Sequence, residues 1–297
     1  MKKAFSMANT LTFLSSEYPD CKPENAFFHV IPVPLEKSVS YASGTKNGPS
    51  AILEASFQLE AWEHGVFAGK YGIATLPEID CSGNIESVLN AIETCVDHTL
   101  ALNACPVLLG GEHTVSLGAL RALAKRGRGC GLVQIDAHAD LRKSYEGSPY
   151  SHACVMYRAC HDLHFQLAQF GIREFCEEEV RAQKEFHVIA HSARELYDHG
   201  LPNPILPDDF PHDIYISFDL DGLDASLMPA TGTPSPGGLF WHEMEVLLEK
   251  LAQTHSIIGF DVVELAPLKG LHSCEFTAAK IVHLLMALSL QGRKKRG

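Results

Sequence analysis

The stretch Gly131-Leu-Val-Gln-Ile-Asp-Ala-His-Ala-Asp140 decides the fold. Its first half does not alternate polar and apolar residues as a strand with one wet face does. It reads as a strand covered by helices on both faces. Its second half carries Asp136, His138 and Asp140 at every other position, so an extended backbone puts all three on one face. The arrangement recurs twice: Val107-Leu-Leu109 leads into Gly110-Gly-Glu-His113, and Tyr215-Ile-Ser-Phe218 leads into Asp219-Leu-Asp221. In open α/β sheets, ligands bind beyond the carboxyl ends of the strands, and six candidate metal ligands stand at three such ends.

Working outward, further strands are predicted at Phe27–Val33, Tyr71–Leu76, Gln166–Gly171, Phe186–Ala190 and Ile257–Val262, which with Pro106–Leu109, Gly131–Ile135 and Ile214–Phe218 makes eight. Helical spacing marks Pro49–Trp62, Ile85–Leu102, Val115–Ala124, His242–Thr254 and Phe276–Leu290 between them. Such alternation predicts an α/β domain with an open, mostly parallel sheet. Residues 1–24 read as an irregular N-terminal arm, and 25–297 as one domain, because no linker or repeat divides them.

A net charge of −12 over 297 residues argues against nucleic acid or an anionic membrane as partner, and suits a small cation. No apolar run is read as long enough to span a bilayer, and the N-terminus lacks a secretory pattern. Nine cysteines without a Cys-x-x-Cys pair predict free thiols and a cytoplasmic location. The basic run Arg293-Lys-Lys-Arg296 is expected to be a solvated tail, an import signal being the other reading.

Four carboxylates crowded together repel one another and resist desolvation; two divalent cations would balance them. A lone Asp-x-Asp is as readily a turn or cap, but six such residues at strand ends point to a two-metal hydrolytic site. The oxygen/nitrogen donor set, without thiolate, suits manganese or another borderline-to-hard ion.

The motifs Gly110-Gly-Glu-His-Thr-Val-Ser116, Asp136-Ala-His-Ala-Asp140 and Ser217-Phe-Asp-Leu-Asp-Gly-Leu-Asp224 resemble those of the ureohydrolases, the arginases and agmatinases. The resemblance extends to Ser40–Ser56, Thr231–Gly238 and Asp261–Pro267. It implies a three-layer α/β/α fold and two Mn²⁺. Asp136 and Asp219 would bridge the ions, with His113 and Asp140 on one and His138 and Asp221 on the other. A hydroxide held between the ions would attack a guanidinium carbon. His152 would shuttle a proton to the leaving amine, unless it is an ordinary loop histidine. Glu264 would hold the guanidinium, its alternative being a buried structural acid. Asp224 and Asp261 are read as hydrogen-bonding support or turn residues. Ala225 and Ala230 depart from the family pattern, where proline and glycine are common. A homo-oligomer, trimer or hexamer, is implied by resemblance.

Where arginases carry asparagine two residues after the counterpart of Asp140, this chain has Arg142, and no Ser-Gly-Asn follows. The segment is similar to agmatinases, so the expected reaction is agmatine to putrescine and urea. Glu146 is a candidate for the distal ammonium, or else a solvated loop acid. Because Arg142 is a cation near the expected pocket mouth, guanidinobutyrate, guanidinopropionate or arginine stay open as substrates. A non-catalytic ureohydrolase-like subunit is the reading from another class, and it would be expected to lose ligands that this chain keeps.

Overall fold

A computed structural model describes residues 11–127 and 129–294, the last few by backbone alone. Eight strands form one sheet: β1 (Phe28–Val33), β2 (Ile73–Thr75), β3 (Cys105–Gly110), β4 (Cys130–Ile135), β5 (Leu167–Ile172), β6 (Ile189–Ser192), β7 (Asp213–Asp219) and β8 (Ser256–Val263). Their order is β2-β1-β3-β8-β7-β4-β5-β6 and every pairing is parallel. Among the described residues eight α-helices accompany them: α1 (Gly48–Ser56), α2 (Ile85–Ala101), α3 (Val115–Lys125), α4 (Val155–His161), α5 (Glu177–Glu185), α6 (Ala193–His199), α7 (Trp241–Thr254) and α8 (His272–Lys294).

Strand residues alternate between two apolar cores. Phe28 and Val30 pack with Ile52 of α1, Leu247 of α7 and Ile281 of α8; Ile31 and Val33 pack with Leu89 of α2, Leu120 of α3 and Met156 of α4. The sheet is therefore the middle of three layers, as the resemblance implied.

Register positions the chemistry. Ile135 of β4 pairs with Phe218 of β7, so Asp136 and Asp219 leave the sheet side by side. Asp219 pairs with Val263 of β8, which brings Glu264 next to them. The four strands β3-β8-β7-β4 are adjacent, and their carboxyl ends deliver every candidate ligand.

Several element boundaries differ from the sequence reading, two of them by more than a turn or half a strand. Helix α1 stops at Ser56 rather than Trp62, because the Ser56 hydroxyl bonds back to Leu53 O and accepts Leu14 N. The last strand in the sheet order begins at Ile189, not Phe186, since Phe186 ends α5 and packs edge-on against Tyr157. Helix α8 corrects the membrane reading: His272–Gln291 is long and apolar enough to cross a bilayer by length and composition, yet 72% of it is buried within the fold. Among the residues of the expected arm, Phe13 and Leu14 are buried in the core beside α1, while residues 1–10 lie outside the described residues. The basic run at 293–296 likewise has no described side chains. All nine cysteines are free thiols.

Buried His283 of α8 is expected to make the fold acid-sensitive. Neither ring nitrogen has a hydrogen-bond partner, Glu63 Oε2 is 3.8 Å away, and Lys280, paired to that carboxylate, adds a like charge. Burial first, then Lys280, lowers its pKa to about 4. The unfolded chain therefore binds the proton more readily, and stability is lost as pH falls from about 6.5 towards 4. The loss is on the order of 3 kcal/mol. Chemical denaturation across that window should show a clearly flatter profile for His283→Leu; identical profiles would remove His283 from the acid response.

Candidate active site

His113 is locked by the sheet below it. Ser217 Oγ on β7 donates to Asp261 Oδ1 on β8 at 2.9 Å and accepts from His113 Nε2 at 2.8 Å. With the proton on Nε2, the Nδ1 lone pair faces outward. It meets only carboxylates there: Asp140 Oδ2 at 2.8 Å, Asp136 Oδ2 at 3.2 Å and Asp219 Oδ2 at 3.4 Å.

The second imidazole belongs to the same cluster. His138 Nδ1 lies 3.0 Å from Asp221 Oδ2 and 3.6 Å from Asp136 Oδ1. Two donor groups result, His113/Asp136/Asp140 and Asp136/His138/Asp221, and they share Asp136. Asp219 adjoins the first group, and its Oδ1 accepts the Asp221 backbone N–H at 2.9 Å. Thus the structure brings all six predicted residues together, five of them buried and His138 partly exposed.

Without cations, the cluster has to use its imidazoles as counter-charges. Burial opposes their protonation, yet Asp136 and Asp140 pull His113 well above its ordinary range, and Asp136 and Asp221 carry His138 up to about 12. Burial and the charges of Asp221, Asp136 and Glu264 push Asp219 far up as well. Two divalent ions would balance the four carboxylates and release both imidazoles as neutral ligands, so the residues fit a metal pair.

The supporting network was only partly visible in sequence. Gln134 Nε2 donates to Asp136 Oδ2 at 2.7 Å, and Gln169 Nε2 donates to Gln134 Oε1 at 2.6 Å. Each is a single polar residue in an apolar strand, which was the available signal. The Arg173 guanidinium ties together the carbonyls of Gly171, Asp221, Leu223, Ser235 and Pro236. Asp224 accepts from Ser226 and Gly237 and so holds a turn.

Backbone strain marks the ligand loops. Asp140 and Glu264, neither of them glycine, adopt φ of 52° and 66°. A Cβ on Gly111 would lie 2.0 Å from Leu35 O, and one on Gly222 2.8 Å from Asp136 N; only glycine lets those loops approach.

Glu264 Oε1 accepts the His113 backbone N–H at 2.6 Å, and burial pushes its carboxyl up to about 8. His152 is positioned by Ser38, whose Oγ accepts the His152 backbone N–H at 3.0 Å and donates to Glu112 Oε1 at 2.8 Å. Glu264 and His152 line a narrow inner cavity of about 30 Å³ together with His113, His138, Asp140, Asp219 and Asp221.

An outer cavity of about 300 Å³ continues from it, sharing Ser40, His138, Asp140, His152 and Thr233. Arg142 lines this outer space, but its Nε is 3.9 Å from Glu179 Oε2 and its guanidinium lies 5.1 Å from the Tyr145 ring centre. Its charge is thus countered within the wall. Glu146 occupies an exposed turn at φ 48° and lines neither cavity.

Comparison with known proteins agrees with this geometry. The pattern of the Arginase family matches residues 26–288. An N(1)-aminopropylagmatine ureohydrolase from Synechocystis sp. is 35% identical over 282 residues, covering 90% of each chain. An agmatinase from Pyrococcus horikoshii is 31% identical over 278 residues, covering 92% of this chain and 95% of its own. The crystal structure of agmatine ureohydrolase of Thermoplasma volcanium superposes with a TM-score of 0.88 at 31% identity, covering 98% of each chain. With eight parallel strands delivering these motifs to one cleft, the chain belongs to the arginase family, the ureohydrolases that cleave guanidino C–N bonds.

Proposed function

We propose that this protein hydrolyses agmatine to putrescine and urea, using two Mn²⁺. The observation that carries the reading is Glu264: a buried carboxylate at the inner end of the cleft, beside the six-ligand cluster, with no cationic side chain among the inner-cavity residues to neutralise it except imidazoles. A guanidinium supplies that positive charge and two parallel N–H donors.

In this reading His113, Asp136, His138, Asp140, Asp219 and Asp221 would hold the two ions. Bound there, the ions would lower the pKa of water so that a nucleophile exists near neutral pH. Glu264 fixes the plane of the guanidinium. Glu264 lines the same inner cavity as His113, His138, Asp140, Asp219 and Asp221, so a head group held by Glu264 would lie beside that cluster. Water adds to the guanidine carbon, the bond to the tail nitrogen breaks, and that nitrogen needs a proton to leave. His152, seated between the two cavities, delivers it.

A second reading has a specific observation in its favour. The outer cavity, at about 300 Å³, exceeds what the agmatine tail fills, and an aminopropyl arm would fit beyond it. The relative from Synechocystis carries the name of that longer substrate. The free thiols and the family resemblance further support a cytoplasmic homo-oligomer, trimer or hexamer, serving polyamine formation.

Urea release from manganese-loaded protein tests the reading across agmatine, N(1)-aminopropylagmatine, guanidinobutyrate, guanidinopropionate and arginine. The amine-tailed guanidines should exceed the carboxylated ones by at least about tenfold in kcat/KM, the scale of one charge-assisted contact. Preference for guanidinobutyrate rejects agmatine chemistry. No urea and no bound metal would turn the protein into a non-catalytic subunit.

A further inference from the structure

The outer cavity has one carboxylate that is fixed, accessible and not committed to Arg142. Glu174 follows β5, the neighbour of β4, and its backbone is stitched to the ligand loop. Glu174 N donates to Ala137 O at 2.9 Å, Ala139 N donates to Glu174 O at 3.3 Å, and the residue bridges to His138. Its side chain is also oriented, because the Ser235 hydroxyl donates to Oε1 at 2.9 Å. Ser235 is itself buried, and its carbonyl is held by Arg173 at 2.7 Å. An exposed carboxylate on such a mount keeps its direction without closing on a partner.

The surroundings decide which ligand charge it meets. Glu179 is buried, accepts the backbone N–H groups of Leu141 and Cys176, and faces Arg142; those two side chains cancel. What remains uncommitted in the wall is the carboxylate of Glu174, with Tyr145 and Phe175 among the residues lining the same cavity. Aromatic faces and a carboxylate suit an alkyl ammonium and reject a carboxylate.

Space agrees with charge. At about 10–15 Å³ of accessible volume per heavy atom, the five heavy atoms of an aminobutyl tail and the four of an aminopropyl arm need on the order of 90–135 Å³. The cavity offers about 300 Å³.

We propose that Glu174 is the specificity-determining residue for the substrate tail, its carboxylate receiving the ammonium nitrogen of the guanidine's alkyl arm. This rests on the ureohydrolase reading of the same cleft. Glu264 and Glu174 then hold the two ends of one dication, with the reacting carbon between the first of them and the metal ligands. The geometry also separates Glu174 from Glu146, which is close to Asp140 in sequence but sits outside the cavity.

The test compares n-butylguanidine, which has a neutral tail, with agmatine and N(1)-aminopropylagmatine, on wild-type and Glu174→Gln protein loaded with manganese. For the two cationic tails, kcat/KM should fall about 10- to 100-fold through KM, with kcat little changed. The change on n-butylguanidine should be far smaller. Calorimetric titration with putrescine reads the same contact without turnover, and Kd should rise about tenfold in the variant. An equal loss on all three guanidines overturns the proposal, because Glu174 would then act through the ligand loop. So does an unchanged preference, or a loss that follows Glu146→Gln instead. Absence of urea from every guanidine with wild-type protein rejects the ureohydrolase reading, while the putrescine titration still decides Glu174.

Discussion

Asp219→Asn is expected to abolish turnover and, in the metal-free protein, to raise the melting temperature. Two effects of one carboxylate oppose each other here. Asp219 is buried at 3% exposure beside Asp136, Asp221 and His113, and burial together with its acidic neighbours pushes its proton affinity far up. A charge held there without cations destabilises the fold, by about 1–3 kcal/mol after partial compensation from the imidazoles. Asparagine keeps an oxygen for the Asp221 backbone N–H and the volume of the side chain, so the packing survives and the repulsion falls. The same change removes one of the four carboxylates that would hold the two ions. Loss of the second ion should lower kcat/KM by at least about 10³-fold, on the order of 4 kcal/mol of barrier. Urea assays, metal analysis and thermal melts with and without manganese separate the two effects. Wild-type protein should gain strongly from added manganese and the variant far less. A variant that still binds two ions per chain with wild-type kcat would remove Asp219 from the metal centre.

The same tension explains which parts of the site could be read from sequence. The six clustered residues were legible because each pair or triple is close in sequence at a strand end, although the backbone there is not extended as alternation suggested: Asp140 is left-handed at φ 52° and Asp221 sits in a 3₁₀ turn. Strand register then does the rest, since Ile135 opposite Phe218 makes the two loops neighbours. Residues whose meaning depends on a distant partner were not legible. Arg142 looked like a cation at the pocket mouth; its counter-charge, Glu179, comes from the start of α5 and is 3.9 Å away only in the fold. Glu146 was singled out by nearness in sequence, whereas Glu174, an exposed carboxylate that lines the outer cavity with Asp140 and Glu179, is delivered by the next strand over. Fold errors have a similar cause. Strand β6 is a half-exposed edge whose short sequence lacks the continuous apolar signal of the central strands, so its start shifted into α5. Helix α8 is apolar around much of its circumference because it packs against α1, α7 and β8 at once.

Glu264→Gln should lose activity as severely as the ligand variant but keep its metals, and that contrast locates Glu264 in substrate binding. Glutamine retains an oxygen that can accept the His113 backbone N–H, now made at 2.6 Å, so the loop carrying His113 stays in place. The left-handed backbone at Glu264 is equally open to glutamine as to glutamate, and its backbone bond to Gly111 O at 2.9 Å is untouched. What disappears is the ability to accept two N–H bonds from a planar cation, because one amide position is now a donor. Two charge-assisted bonds at about 1.5–3 kcal/mol each correspond to a fall in kcat/KM of roughly 10²–10⁴-fold. Saturating agmatine should not restore the rate, since a head group held off its plane presents the wrong face of the carbon to attack. Metal analysis should return the wild-type content, unlike Asp219→Asn. Near-normal kcat/KM on agmatine would take the guanidinium contact away from Glu264. Loss of activity together with loss of metal would make it part of the metal scaffold, acting through His113.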